Sequence, residues 1–447
     1  MRSPAGSSHP GTGRGWGAAV VIVGVGLAIR LGLAAVTLGT NDVTTWRRFG
    51  FEVLHYGLAA AYQIDPELVH PPAPTLWATG AVLLSGTSER AFAFLMKLPA
   101  ISADVVACWL LWRIGWRRRS GSAPGGSMMT GEQGTSSAAD DRSAPAPAKI
   151  PPRASGSGGF CPPVVLVALW ALNPLAILVS GYHGNTDNVY ALLVLLAFDL
   201  LDRRRFLAAG AVLAAAINVK LIPVLLLPGL LAAARWPGSA RRVLAGFFLL
   251  LVPMSAVALV LYPFWVLRLL EYGSNREDWG VLLLIKLLEH GHAADVAPGA
   301  AELWYFRNGG KWIMLMALLA SAGVCRVRRL DAFTTAAVAA GVFLVIAPGF
   351  SLQYLVLPAL LLVAASPRWG AYFGIMAGCF AGGVYYVFLS ENSRWAYSRF
   401  WGLFPPVAAC CGLIVWAMLL VAVTRLLLRK PASGSIAPEA PDASHVV

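Results

Sequence analysis

The stretch WALNPLAILVSGYHGNTDNVYALLVLLAFDLLDRRRFLAAGAVLAAAINVKLIPVLLLP runs from Trp170 to Pro228. It reads as an apolar run, a polar turn, a second apolar run, a basic triplet, and two more apolar runs joined at a single lysine. The apolar residues are continuous rather than alternating, so a transmembrane β-barrel does not fit. A bilayer core offers no water to backbone groups, and continuous apolar runs satisfy them as helices. The same pattern recurs along all 447 residues, of which 57% are hydrophobic and 13% charged; soluble domains carry about 25% charged residues. The expected fold is an all-α polytopic membrane protein of about 12–13 transmembrane helices, with the active site on extracytoplasmic loops.

Working outward, apolar runs are centred on residues 17–38, 73–86, 91–112, 162–181, 186–202, 206–219, 221–235, 242–263, 311–325, 331–347, 352–366, 370–389 and 402–428. The net charge of +13 falls mostly in short clusters between them: Arg117–Arg119, Arg203–Arg205, Arg241/Arg242, Arg326/Arg328/Arg329, Arg368 and Arg429/Lys430. Alternating the spans from Arg117 onward puts every later cluster on one side, the cytoplasm by the positive-inside rule. This accounts for the charge without nucleic acid, so the partners are membrane lipids and lipid-borne substrates. The run 73–86 carries prolines at its entry and reads as re-entrant or partial. The first run lacks a cleavage site and reads as a retained span. The location is thus integral and multi-pass, in the plasma (inner) membrane.

The organisation expected is an N-terminal membrane segment, 1–119, with a first extracytoplasmic loop at 39–72. A low-complexity cytoplasmic linker, 120–160, is too poor in apolar residues to order itself. A membrane domain, 161–430, comes next, with an extracytoplasmic loop at 264–310 and a disordered tail at 431–447. The six cysteines show neither metal-ligand nor disulfide spacing and read as small buried hydrophobes.

The outer connections carry the chemistry. Asp42 comes about four residues after the first span; by itself it reads as a helix cap before it reads as a catalyst. His70 sits in a His-Pro-Pro. His183 and Asp187 lie in the turn HGNTDN, where Asp187 also suits a cap. Lys220 interrupts the positive-inside pattern on the outer side. Gln353 and Tyr354 open a late span, and Arg276 lies in the second large loop. Arg30 is inside the first span, roughly 12 Å below its outer end, where a charge is costly unless paired or facing a cavity. Lys97 and Asp104 share a helix face and read equally well as a structural ion network. An acid, cations and amide or hydroxyl groups on one face suit deprotonation of a hydroxyl nucleophile and capture of an anionic phosphate. The inner connections are basic or low in complexity.

These motifs resemble the glycosyltransferase C superfamily. Trp170–Pro228, with its Asn-Pro, Gly-Asn-x-Asp turn, basic hairpin and Lys-x-x-Pro, is similar to polyprenol-phosphate-mannose-dependent mannosyltransferases of family 87 and to the GPI mannosyltransferase I-like group. The opening loop, KLPAISADVV and PGFSLQYLVLP look like further landmarks. The resemblance implies an inverting transfer of a hexose, mannose by analogy, from a polyprenyl-phosphate sugar to an acceptor hydroxyl on a glycolipid, glycan or protein. Asp42 would be the base, and Arg30, His70, His183, Asp187, Lys220, Arg276, Gln353 and Tyr354 would contact substrate. Family members often carry paired acids in this loop. Here Asn41 and Thr44 stand near Asp42 in place of a second acid, which suits a reaction needing no metal and no cofactor beyond the lipid-linked donor. The rival reading is a transporter or flippase of lipid-linked sugars, but the sequence shows no clear repeat halves.

Overall fold

A computed structural model describes residues 12–120, 161–263, 279–292, 297–387 and 404–429. Among them the chain is helical: α1 Thr12–Val36, α2 Asn41–Tyr56, α3 Leu58–Ile64, α4 Pro72–Ser85, α5 Glu89–Ser120, α6 Pro163–Ala171, α7 Pro174–Ile177, α8 Asp187–Asp202, α9 Phe206–Ile217, α10 Leu227–Ala233, α11 Ser239–Leu261, α12 Gly280–His290, α13 Ala300–Trp304, α14 Gly310–Val327, α15 Ala332–Ile346, α16 Val356–Ala365, α17 Pro367–Val387 and α18 Phe404–Leu428. The expected linker 120–160, apart from Ser120, lies outside the described residues. So do Arg276, the tail beyond Arg429, and much of 264–310.

Among the described residues, five segments are long and apolar enough to cross a bilayer: Gly15–Val36, Glu89–Ser120, Ser239–Val260, Ala300–Val327 and Val407–Leu428. Pro163–Ala171 with Pro174–His183 makes a sixth if its 46° bend lies within one span. Other apolar runs form shorter helices, among them Phe206–Ile217, Ile222–Ala233, Ala332–Ile346 and Leu352–Ala365. Each falls short of the roughly 20 residues a hydrocarbon core requires. The chain is therefore a polytopic all-α membrane protein whose span count by helix length alone is smaller than its number of apolar runs. α15 and α16 are buried almost all round and pack with α8 and α17 in the main core, among Val194, Phe198, Leu344 and Leu360. Large apolar side chains lie exposed on α1, α11 and α18, as lipid-facing helices require. The cysteines are all free, but Cys379, Cys410 and Cys411 are exposed and only Cys108 and Cys325 are fully buried.

The stretch 39–72 is not an open loop. It folds as α2 and α3, separated by Gly57, whose φ of +81° suits glycine and whose N–H closes α2 on Val53. α2 is amphipathic. Val43, Trp46, Phe49 and Gly50 face inward, while Arg47 is half-buried and Arg48 exposed. A second, smaller core joins Trp46 and Phe49 to Tyr62, Ala78, Val82, Phe92 and Met96, fixing α2 and α3 on α4 and α5.

The basic clusters converge at one end of the bundle. Arg117 pairs with Asp199, Arg203 with the same carboxylate at 2.7 Å, and Arg118 with Asp331 at 3.9 Å. Arg235 donates to the Leu330 carbonyl and Arg328 to that of Leu428. The ends of α5, α8, α10, α14 and α18 and the start of α15 thus meet there, as the alternation of spans expects.

Candidate functional site

At the other end, local breaks in helices deliver the polar groups. Pro174 removes a helical donor and disfavours helix at the residue before it. Asn173 takes up the new N-terminus, its Oδ1 accepting from Leu175 N and Ala176 N. The helix then widens into a π-helical turn, Leu178–His183, a distortion frequent at functional sites. It stops at Gly184, whose φ is +82° and where a Cβ would strike Val43 of α2. α8 begins immediately after, at Asp187.

This turn meets the start of α2. The Asp42 carboxylate accepts a hydrogen bond of 2.8 Å from Asn185 Nδ2, and its Oδ2 lies 3.2 Å from His183 Nε2, off the line of a well-formed hydrogen bond. Asn185 Oδ1 is taken by Thr186 N at 2.7 Å, which fixes the amide with its NH2 towards Asp42. On the far side of the imidazole, Thr40 Oγ1 lies 2.9 Å from Nδ1 and 3.2 Å from the His183 carbonyl oxygen. The Tyr385 ring stacks on His183 at 5.1 Å. Asp42 is thus not a cap: it sits in the first turn of α2 with its carboxylate aimed across at the 183–185 turn.

Exposure separates the roles. The His183 side chain is 3% exposed and has a neighbour at each nitrogen, whereas the Asp42 side chain is 32% exposed. Burial acts to raise the Asp42 pKa, but the His183 ring, the charge of Lys220 and the Asn185 hydrogen bond outweigh it and hold the carboxyl down at about 2. Tautomer and charge are linked here. The Thr40 hydroxyl has one proton for two acceptors, Nδ1 and the His183 carbonyl; when it goes to Nδ1, Nε2–H lies on the side of the carboxylate, whereas the opposite tautomer sets a lone pair against an anion. An ionised Asp42 favours the first arrangement.

Asp187 is fully buried, and both its oxygens accept from Lys220 Nζ, at 3.0 and 3.1 Å. It fixes the lysine instead of capping α8 with its side chain. Lys220 Nζ also lies 4.8 Å over the Tyr354 ring and 5.9 Å from that of Tyr190. Gln353 and Tyr354 share the short 3-10 turn Leu352–Leu355 and are buried. His70 lies against Trp46, ring centres 4.6 Å apart. Burial, reinforced by Lys220 and opposed by Asp42, pushes its pKa down to about 4, so at neutral pH it offers hydrogen bonds and no charge.

Arg30 does not join this group. It is 2% exposed, and its Nε donates to Asp104 at 2.8 Å and Ser180 at 3.1 Å. Its Nη1 donates to the carbonyls of Gly26 and Ala171. Asp104 also accepts from Trp170 Nε1 and Asn188 Nδ2. The network is a strut under the 183–188 turn. The sequence carries no signal for Thr40, an ordinary hydroxyl residue, and none that connects Lys97 to the turn. Lys97 is buried, donates to Thr37 O at 2.8 Å and Thr37 Oγ1 at 3.2 Å, and packs beside Gly184. It ties the exit of α1 to the site. Away from it, Glu289, His290 and Glu302 place possible ligand atoms within 4.8 Å of one another. The Glu289 carboxylate there already caps α13, accepting from Ala301 N and Glu302 N.

Two comparisons with known proteins bear on identity. A zebrafish (Danio rerio) protein named GPI alpha-1,4-mannosyltransferase I, catalytic subunit, is 36% identical over 97 residues, which make up 22% of this chain and 24% of that protein. The profile of the family described as GPI transamidase subunit PIG-U matches residues 43–306. That match takes in His70, His183, Asp187 and Lys220 and starts one residue after Asp42. It spans more than half of the 447 residues, and with the apolar helical fold it identifies the chain as a polytopic membrane protein belonging to the PIG-U family.

Proposed function

We propose that the protein is a membrane glycosyltransferase that moves a hexose, mannose by analogy with the zebrafish relative, from a polyprenyl-phosphate donor to an acceptor hydroxyl on the extracytoplasmic face. One observation carries this reading. A partly exposed carboxylate, Asp42, is held ionised between His183 and Asn185, within the field of Lys220, at the end of the bundle opposite the basic clusters. In the reaction the acceptor O–H gives its proton to Asp42. The acceptor oxygen bonds to the anomeric carbon as the bond from that carbon to the phosphate oxygen breaks, and polyprenyl phosphate leaves with the electron pair. A carboxylate with its pKa near 2 is a weak base. It suits a late proton transfer, when departure of the phosphate has already made the hydroxyl acidic. Lys220 supplies positive charge for the leaving group, and His70 a neutral hydrogen-bonding group for the sugar. The acceptor is a glycolipid, a glycan or a protein hydroxyl, in the plasma membrane.

The test is transfer of labelled mannose from polyprenyl-phosphate mannose in membranes holding the wild-type protein or Asp42→Asn. Full turnover by a well-expressed mutant would remove the base and with it this mechanism. A second reading is favoured by the family match, since that family is described as a transamidase subunit: the same site would hold a lipid-linked glycan without reacting. Under it, wild-type membranes retain the labelled lipid and release no transfer product.

A further inference from the structure

The basic end of the bundle holds a cavity of about 250 Å³ between the α16–α17 junction and the end of α18, lined by Ser366, Pro367, Trp369, Arg425 and Arg429 among others. We infer that it binds the phosphate headgroup of an anionic membrane lipid.

Charge accounting at this end leads there. Arg117, Arg118 and Arg203 each have a carboxylate, from Asp199, Asp202 or Asp331. Arg425 and Arg429 have none within ion-pair distance among the described residues, and no acid lines the cavity. Arg425, in the last turn of α18, and Arg429, just past its end, line the same space. Ser366 places a hydroxyl at its edge, immediately before the first turn of α17, where Pro367 opens the helix and the early N–H groups point outward. Trp369 gives a broad apolar wall with one N–H donor, as side chains at a lipid headgroup level do. Two guanidinium groups, a hydroxyl and a helix start suit a phosphate ester, and basic pockets between membrane helices take lipid headgroups on the same physical grounds.

The neighbouring surface points to a lipid as the source. α18 exposes Val407, Ile414, Leu420, Val421 and Leu428, an apolar strip that leads along the helix to the cavity. A lipid whose acyl chains lie on that strip brings its phosphate to Arg425 and Arg429. The cavity is at the end of the bundle away from Asp42 and owes nothing to the proposed transfer reaction.

The test uses the full chain purified in detergent, delipidated, and titrated with phosphatidylglycerol, phosphatidylcholine or inorganic phosphate, with bound ligand read by native mass spectrometry. Phosphatidylglycerol is expected to bind saturably, and the R425Q/R429Q variant to weaken it about tenfold. The R241Q/R242Q variant makes the same charge change at the same end, outside the cavity, and should leave binding within about twofold of wild type. Arg425→Gln alone gives an intermediate loss and serves if the double variant does not fold. Equal loss in both double variants, no loss in either, equal binding of phosphatidylcholine, or occupancy by inorganic phosphate in place of the lipid would each overturn the assignment.

Discussion

Asp42 Oδ2 lies 3.2 Å from His183 Nε2, bringing the first turn of α2 against the end of the π-helical turn that extends α7. The carboxylate is reachable from outside and the imidazole is not, so in the proposed reaction a nucleophile meets Asp42 first. Asp42→Asn keeps shape and the Asn185 neighbourhood but cannot accept a proton. In the proposed reaction, loss of general-base action lowers turnover by about 10²- to 10⁴-fold, while the purified protein stays folded with a lower thermal midpoint, since the stabilised carboxylate is gone. A mutant with near wild-type transfer would sink the assignment.

Thr40 is expected to matter through His183. Its hydroxyl sits 2.9 Å from Nδ1, and by donating there it favours a proton on Nε2, the nitrogen beside Asp42. Thr40→Val keeps the side-chain shape and removes the hydroxyl, so the tautomer with a bare Nε2 towards the carboxylate gains population. Turnover falls on the order of fivefold to tenfold, the worth of one hydrogen bond, and Thr40→Ser restores it. The acid limb of the rate profile moves upward in pH in Thr40→Val, as a carboxylate with less support is protonated more readily. A purely structural role for Thr40 predicts loss of folded protein in both variants and no shift of that limb.

The membrane class and the convergence of basic clusters are legible in the sequence, because apolar runs and arginine triplets are local signals. So are the turn holding His183 and Asp187, and the isolation of Lys220. Their pairings are not. Nothing local says that Asp187 takes both its hydrogen bonds from Lys220, or that Asp42 turns away from its own helix. Depth alone marks Arg30, and depth does not show Asp104, 74 residues away. The segment 39–72 reads as a loop because α2 spreads its apolar residues over one face of a polar helix, and Gly57 and the prolines at 71 and 72 interrupt the remainder. Helix length is the least legible feature. Runs such as 186–202 and 206–219 look like spans by hydropathy, yet they end at Arg203 and Asn218 as shorter, largely buried helices.

The strut beneath the turn gives a stability prediction. Arg30 and Asp104 are both almost fully buried, with side-chain exposures of 2% and 3%. Removing one partner leaves an uncompensated charge among apolar neighbours. Arg30→Met or Asp104→Leu alone is expected to cost about 3–5 kcal/mol, and the double variant clearly less than the sum. Denaturant unfolding of the detergent-solubilised protein measures this. Additive single effects would show that the pair is not coupled and that Trp170 and Asn188 hold Asp104 by themselves.

His70 gives the pH dependence. Its pKa in the fold is pushed to about 4, against about 6.5 in an unfolded chain. Between these values the unfolded state binds more protons, so stability rises with pH across that window. It is lost as pH falls from 6.5 towards 4. Asp42 adds a loss of the same sign at lower pH. Its carboxyl is near 2 in the fold and about 3.9 unfolded, so its contribution is full above the unfolded value and disappears as pH drops through 2. His70→Phe keeps an aromatic ring against Trp46 and removes the titrating group. The thermal midpoint of wild type is expected to fall from pH 7 to pH 4.5, and that of His70→Phe to fall less over the same interval. Equal slopes would mean that His70 is not the group protonated on unfolding.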